Sequence, residues 1–126
     1  MRFVFVLLLM TLAGSARAEW VKYLEGGKLG MRSTSYYDPT TIKRLGDLVR
    51  VWVYAENSVP VRREGDQLAQ WSSRTQYEIN CKNQQWRPLR GTVYSGPMMS
   101  GEIFSETGLG EWADISGSTL LKVACK

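Results

Sequence analysis

The sequence predicts an α+β domain: mainly antiparallel β-sheet with a short C-terminal helix tethered to it by one disulfide. Three observations predict this. Turn residues recur about every ten positions, a rhythm of short strands. One segment, Val49-Arg50-Val51-Trp52-Val53-Tyr54, alternates strictly, with the valines on one face and Arg50, Trp52 and Tyr54 on the other. Two cysteines, Cys81 and Cys125, stand far apart in the chain, and the second lies on an apolar stripe of helical spacing.

The elements follow in order. Met1-Arg2, the apolar run from Phe3 to Leu12 and the small residues Ala13 to Ala18 read as a secretory signal cleaved after Ala18, with an A-x-A site. The run is too short to span a bilayer, which takes roughly 20 apolar residues. Leu12-Ala13-Gly14-Ser15 approaches a lipobox, but serine stands where a lipid-bearing cysteine is needed, so no lipid anchor is expected. Residues 19–126 form the expected single domain. Loss of residues 1–18 removes Arg2 and Arg17 from 16 basic residues against 12 acidic ones, and the net charge falls from +4 to +2. So slight a bias gives no nucleic-acid signature, which needs clustered basic charge.

Trp20 to Leu24 reads as a short strand, turned back at Gly26-Gly27 into a second strand from Leu29 to Tyr36. Asp38 caps a helical turn with Pro39 at its first position, and Gly46-Asp47 stops it. Val49 to Tyr54 is a strand, Val59 to Gln67 a polar loop, and Ser72 to Cys81 a long strand with Tyr77, Ile79 and Cys81 on one side. Gln85 to Tyr94 is a further strand, where Pro88 requires an edge or a bulge. Met98 to Glu106 fits strand or loop equally well by pattern, and Gly108 and Gly110 keep the next stretch irregular. Ser118 caps the last helix, whose pairs 120/124 and 121/125 share a stripe.

An isolated cysteine pair in an exported domain reads as a structural disulfide. Closing a loop of about 45 residues stabilises by roughly 4 kcal/mol in the chain-entropy account. The chain has no histidine and no C-x-x-C, so zinc and thioredoxin-type chemistry lack their ligands and no metal is expected. Triad catalysis lacks its base. No Gly-rich phosphate loop follows a strand, so no cofactor is expected. Glu102, Glu106, Glu111 and Asp114 could in principle divide acid and base roles on a glycan; without a motif around them they read as solvated charges. A binding surface has more support. Arg62, Arg63, Arg74, Trp86, Arg87 and Arg90 place guanidinium groups among aromatics, a composition enriched at recognition hot spots. Arg74 and Arg87 fall on strands expected to pair, which would converge their charges. Trp52 and Tyr54 are the next candidates.

Tyr37-Asp38 before Ile42, Val49-x-Val51-Trp52, Ser73-x-x-x-Tyr77-Glu78-x-x-Cys81, Tyr94-Ser95-Gly96, Trp112, and Gly117-Ser118 leading to Cys125 resemble the surface-adhesin protein E family of proteobacteria. The resemblance covers nearly the whole mature chain. It implies an antiparallel sheet with a helix tethered by the cysteine pair, and a non-enzymatic outer-surface protein that binds host matrix or plasma proteins. A lipoprotein of that family departs from this chain at Ser15. The sequence-level expectation is therefore an exported, periplasmic or secreted, adhesin-like protein that binds a protein partner. The alternative is a periplasmic structural or envelope-stress protein with no host ligand.

Overall fold

A computed structural model describes residues 19–28 and 30–126; the leader expected over 1–18 lies outside the described residues. Eight strands form one antiparallel sheet: β1 Val21–Lys28, β2 Met31–Tyr37, β3 Lys43–Leu45, β4 Leu48–Val61, β5 Gln70–Asn80, β6 Gln85–Tyr94, β7 Ile103–Thr107 and β8 Ala113–Asp114. The order is β1-β2-β4-β5-β6-β7, with β3 on β4 and β8 on β6. One α-helix among the described residues, α1 Thr119–Ala124, closes the chain.

The valine alternation of β4 builds the core. Val49, Val51 and Ile79 are fully buried, Val53 nearly so, and α1 lays Leu120, Leu121 and Ala124 on them. Six residues make a marginal helix, and three devices hold this one. Ser118 Oγ accepts from the Leu121 N–H at 3.1 Å, satisfying an otherwise orphaned donor. Arg44, on β3, donates to the carbonyl of Ala124, the last residue of the helix, and to that of Lys126 beyond it. The Cys81–Cys125 disulfide ties the helix to the end of β5.

Four local features differ from the sequence reading. Gly26 and Gly27 do not turn the chain; they lie inside β1, and the reversal falls between Lys28 and Met31. Gly27 has φ +127°, and a side chain there would strike the Met31 carbonyl oxygen, so this glycine serves a tight cross-strand approach. The helical turn capped by Asp38 is one 3-10 turn, Pro39–Thr41, with Asp38 accepting from the Thr40 N–H. Gly46-Asp47 ends no helix: it links β3 to β4, pairing Leu45 with Leu48, and Gly46 supplies the positive φ such hairpins need. β4 continues through Val59 and Pro60 to Val61, so the polar loop starts only at Arg62.

Pro88 lies at a bulge. Gln76 pairs with Arg90 and Tyr77 with Pro88, which leaves Leu89 as the extra residue. On the other side of β6 the neighbours β7 and β8 leave a gap, where the Gly110 N–H donates to the Pro88 carbonyl.

Candidate functional site

The sheet face opposite the core carries no helix among the described residues. Strand register assembles it in rows: Arg50–Glu78–Arg87, then Trp52–Gln76–Arg90, then Tyr54–Arg74–Thr92–Glu106. In a regular strand, residues 87 and 90 point to opposite faces. The extra residue Leu89 resets the alternation, so Arg87 and Arg90 share this face.

Glu78 anchors the first row. It is 2% exposed, and both its oxygens are used. Arg87 donates Nε and Nη2 to Oε1 at 3.1 and 2.8 Å, and Arg50 donates Nε to Oε2 at 3.2 Å. Burial alone would raise the Glu78 carboxyl; the hydrogen bonds and charges of Arg87 and Arg50 outweigh it and hold the group below its ordinary value. Arg87 also lies over the ring of Trp112, 4.5 Å from its centroid.

Trp52 organises the second and third rows. Arg74 places its guanidinium carbon 3.9 Å from the Trp52 ring centroid, and Arg90 places its own at 6.0 Å, both within cation–π reach. Arg90 Nε donates to Gln76 Oε1 at 3.0 Å. Beside them opens a cavity of about 240 Å³, lined also by Thr92, Tyr94 and Glu106. At the far end of the face, Tyr54 stacks on Tyr36 with centroids 5.5 Å apart and meets Trp20 at 5.6 Å.

The six residues named from sequence separate into three places. Arg74, Arg87 and Arg90 stand on this face, but Arg74 pairs with Thr92 and not with the strand position of Arg87. Arg62 and Arg63 lie on the β4–β5 loop, where Arg62 donates to the carbonyls of Asp66 and Gln67. Trp86 points the other way: it stacks on Tyr77 at 4.2 Å and packs against the core, beside an apolar hollow of about 380 Å³ that Leu120 and Ile115 help to line. Glu102, Glu106, Glu111 and Asp114 are all exposed. No group of three or more His, Cys, Asp or Glu side chains among the described residues is placed to hold a metal ion. Arg50, Gln76, Glu78 and Trp112 were missed in the sequence reading; the alternation Arg74-x-Gln76-x-Glu78 on β5 was the available signal.

The profile of the family described as surface-adhesin protein E matches residues 20–126. The chain belongs to the surface-adhesin protein E family. Its fold resembles solved structures of Haemophilus influenzae protein E. One, at 14% identity, covers 86% of this chain and 81% of that chain with a TM-score of 0.57. A selenomethionine form matches at 14% identity over 86% and 83%, TM-score 0.56. A second crystal form matches at 16% over 71% and 75%, TM-score 0.52. At such identities the likeness is one of fold. None of the curated protein sequences matches the chain. The sheet with its disulfide-tethered helix is thus the surface-adhesin protein E architecture expected from the motifs. Among the described residues no helix is long and apolar enough to cross a membrane.

Proposed function

We propose that this chain is an exported, non-enzymatic, adhesin-like protein that recognises a protein partner through the outer face of its sheet. One observation carries the reading: four arginines, Arg50, Arg74, Arg87 and Arg90, stand with Trp52 and Trp112 on a sheet face that no helix of the described chain covers. Arginine and tryptophan are the residues that most often dominate binding energy. Net charge is slight, so attraction to an acidic partner arises from this local cluster and not from the overall field. Membership of a surface-adhesin family supports the same reading. In it, residues 1–18 are removed on export, the mature protein starts at Glu19, and Ser15 leaves it without lipid.

The test is charge reversal. Arg74→Glu and Arg90→Glu, singly and together, are compared with Arg62→Glu/Arg63→Glu for binding to a panel of purified matrix, plasma and envelope proteins at two salt concentrations. Loss in the first set, mainly through association rate and salt dependence, supports the reading. Unchanged binding in the folded double variant removes this face. Surface labelling of intact cells against periplasmic extraction separates it from a periplasmic structural role, which needs no outward presentation.

A further inference from the structure

Arg74 and Arg90 differ from the other guanidinium groups of the outer face. Arg50 and Arg87 share the Glu78 carboxylate, whereas among the described residues no carboxylate lies within 4.0 Å of Arg74 or Arg90. Both are nevertheless held in place. Arg74 lies against the Trp52 ring, and Arg90 is fixed by Gln76 and faces the same ring. A guanidinium lying over an indole uses its flat face and leaves its in-plane N–H donors free for a carboxylate. Less side-chain freedom then remains to be lost on binding.

The cavity beside them limits what that carboxylate can belong to. Its volume of about 240 Å³ lies below the roughly 300–1,000 Å³ of pockets for drug-sized ligands, which suits one sugar ring. Thr92 and Tyr94 carry hydroxyls at its wall, and Glu106 adds a carboxylate that pairs with neither arginine. This carboxylate accepts from ligand hydroxyls, and its negative charge opposes a dense polyanion such as a sulfated polymer. A neutral sugar has nothing for the guanidinium groups, and the indole face on which it would stack is occupied by Arg74. A fatty acid chain finds no aliphatic side chain on the wall, which Arg74, Arg90, Thr92, Glu106 and Thr107 make largely polar apart from the Trp52 and Tyr94 rings.

We infer that this cavity binds a carboxylated sugar of the sialic or uronic acid class. The carboxylate is taken by Arg74 and Arg90, and the ring hydroxyls face Thr92, Tyr94 and Glu106. The site stands whether or not the same face also docks a protein.

The purified exported protein is titrated with N-acetylneuraminic acid and with glucuronic acid, followed by tryptophan fluorescence and calorimetry. Glucose, the methyl ester of glucuronic acid, acetate and N-acetylglutamate serve as comparison ligands. At least one of the two sugar acids saturates the site, and all four comparison ligands bind it about tenfold or more weakly. Arg74→Gln and Arg90→Gln each reduce its affinity about tenfold, the scale of a lost charged hydrogen bond; Glu106→Gln weakens it less. Circular dichroism establishes that each variant is folded, and Arg74→Lys supplies a charge-retaining second variant. No saturable binding of either sugar acid, equal binding of the ester, or indifference to both glutamine variants overturns the inference. Equal binding of acetate or N-acetylglutamate overturns it too, leaving a general carboxylate or acidic side-chain site. Sugar-acid binding with no protein partner captured retains the site and removes the proposal above; the opposite pattern does the reverse.

Discussion

Arg87 and Glu78 face each other across β6 and β5, with Nη2 and Oε1 2.8 Å apart and the carboxylate almost wholly shielded from water. Arg50 completes the group from β4, so one buried charge links three central strands. Removing one partner of a buried pair leaves the other uncompensated and costs about 3–5 kcal/mol when both are buried. Here the arginine side chains are 43% and 28% exposed, so solvent screening reduces the cost. Glu78→Gln is expected to lower the unfolding free energy by about 1–3 kcal/mol at pH 7, measured by urea denaturation. A change within 0.5 kcal/mol (about the scatter of surface substitutions) would contradict this account.

The same group sets a pH dependence. The folded Glu78 carboxyl lies below its ordinary value of 4.5. Its contribution is therefore fully present above that value and is lost as pH falls through it towards the lower folded value. Urea midpoints measured from pH 7 down to pH 3 should fall more steeply in the wild type than in Glu78→Gln. Parallel curves would show that this carboxylate does not titrate on unfolding.

Tyr54 makes a different case. It is 6% exposed, and its hydroxyl has no hydrogen-bond partner among the described residues. Burial, together with the nearby Glu56 carboxylate, pushes its phenol well above the ordinary 10. A buried hydroxyl without a partner contributes little, so Tyr54→Phe should leave stability unchanged or raise it by up to about 1 kcal/mol. Tyr54→Ala removes the ring from its stack on Tyr36 and should cost about 3–5 kcal/mol. A loss above 1 kcal/mol in the phenylalanine variant would mean that the hydroxyl is bonded after all.

Cys125→Ser cuts the tie between α1 and β5. Stability should fall by about 2–5 kcal/mol, the usual cost in a small secreted domain. Because Leu120, Leu121 and Ala124 still bury apolar surface, a folded state should persist at 25 °C. Urea unfolding of this variant, and of the wild type under a reducing agent, should give matching midpoints. Two free thiols in natively isolated protein would refute the structural role.

Glu102, Glu106, Glu111 and Asp114 each point to solvent. Alanine at any one of them should change stability by no more than about 0.5 kcal/mol, read from the same denaturation curves. Hydrolysis of a glycan by the wild type, abolished by one of these changes, would restore the enzymatic reading of that stretch.

The sequence by itself determined the local features. The valine alternation of β4, the Asp38-Pro39 and Ser118 caps, the stripe of α1 and the cysteine pair were legible because each depends on a few neighbouring residues or on a two-member choice. The face carrying the arginines was decided only by tertiary structure. The strands of Arg74 and Arg87 pair as expected, but the two charges do not meet: Arg74 stands opposite Thr92 and Arg87 opposite Glu78, because register belongs to two strands at once and no single strand states it. Pro88 announced an edge or a bulge, but only the ladder with β5 shows Leu89 as the extra residue. That one residue brings Arg90 to the face that holds Trp52, while Trp86, next to Arg87, turns to the core. Side-chain alternation is a property of the backbone and can be read along the chain. Which alternations are interrupted, and which side chains meet across strands, depends on hydrogen bonds between residues distant in sequence.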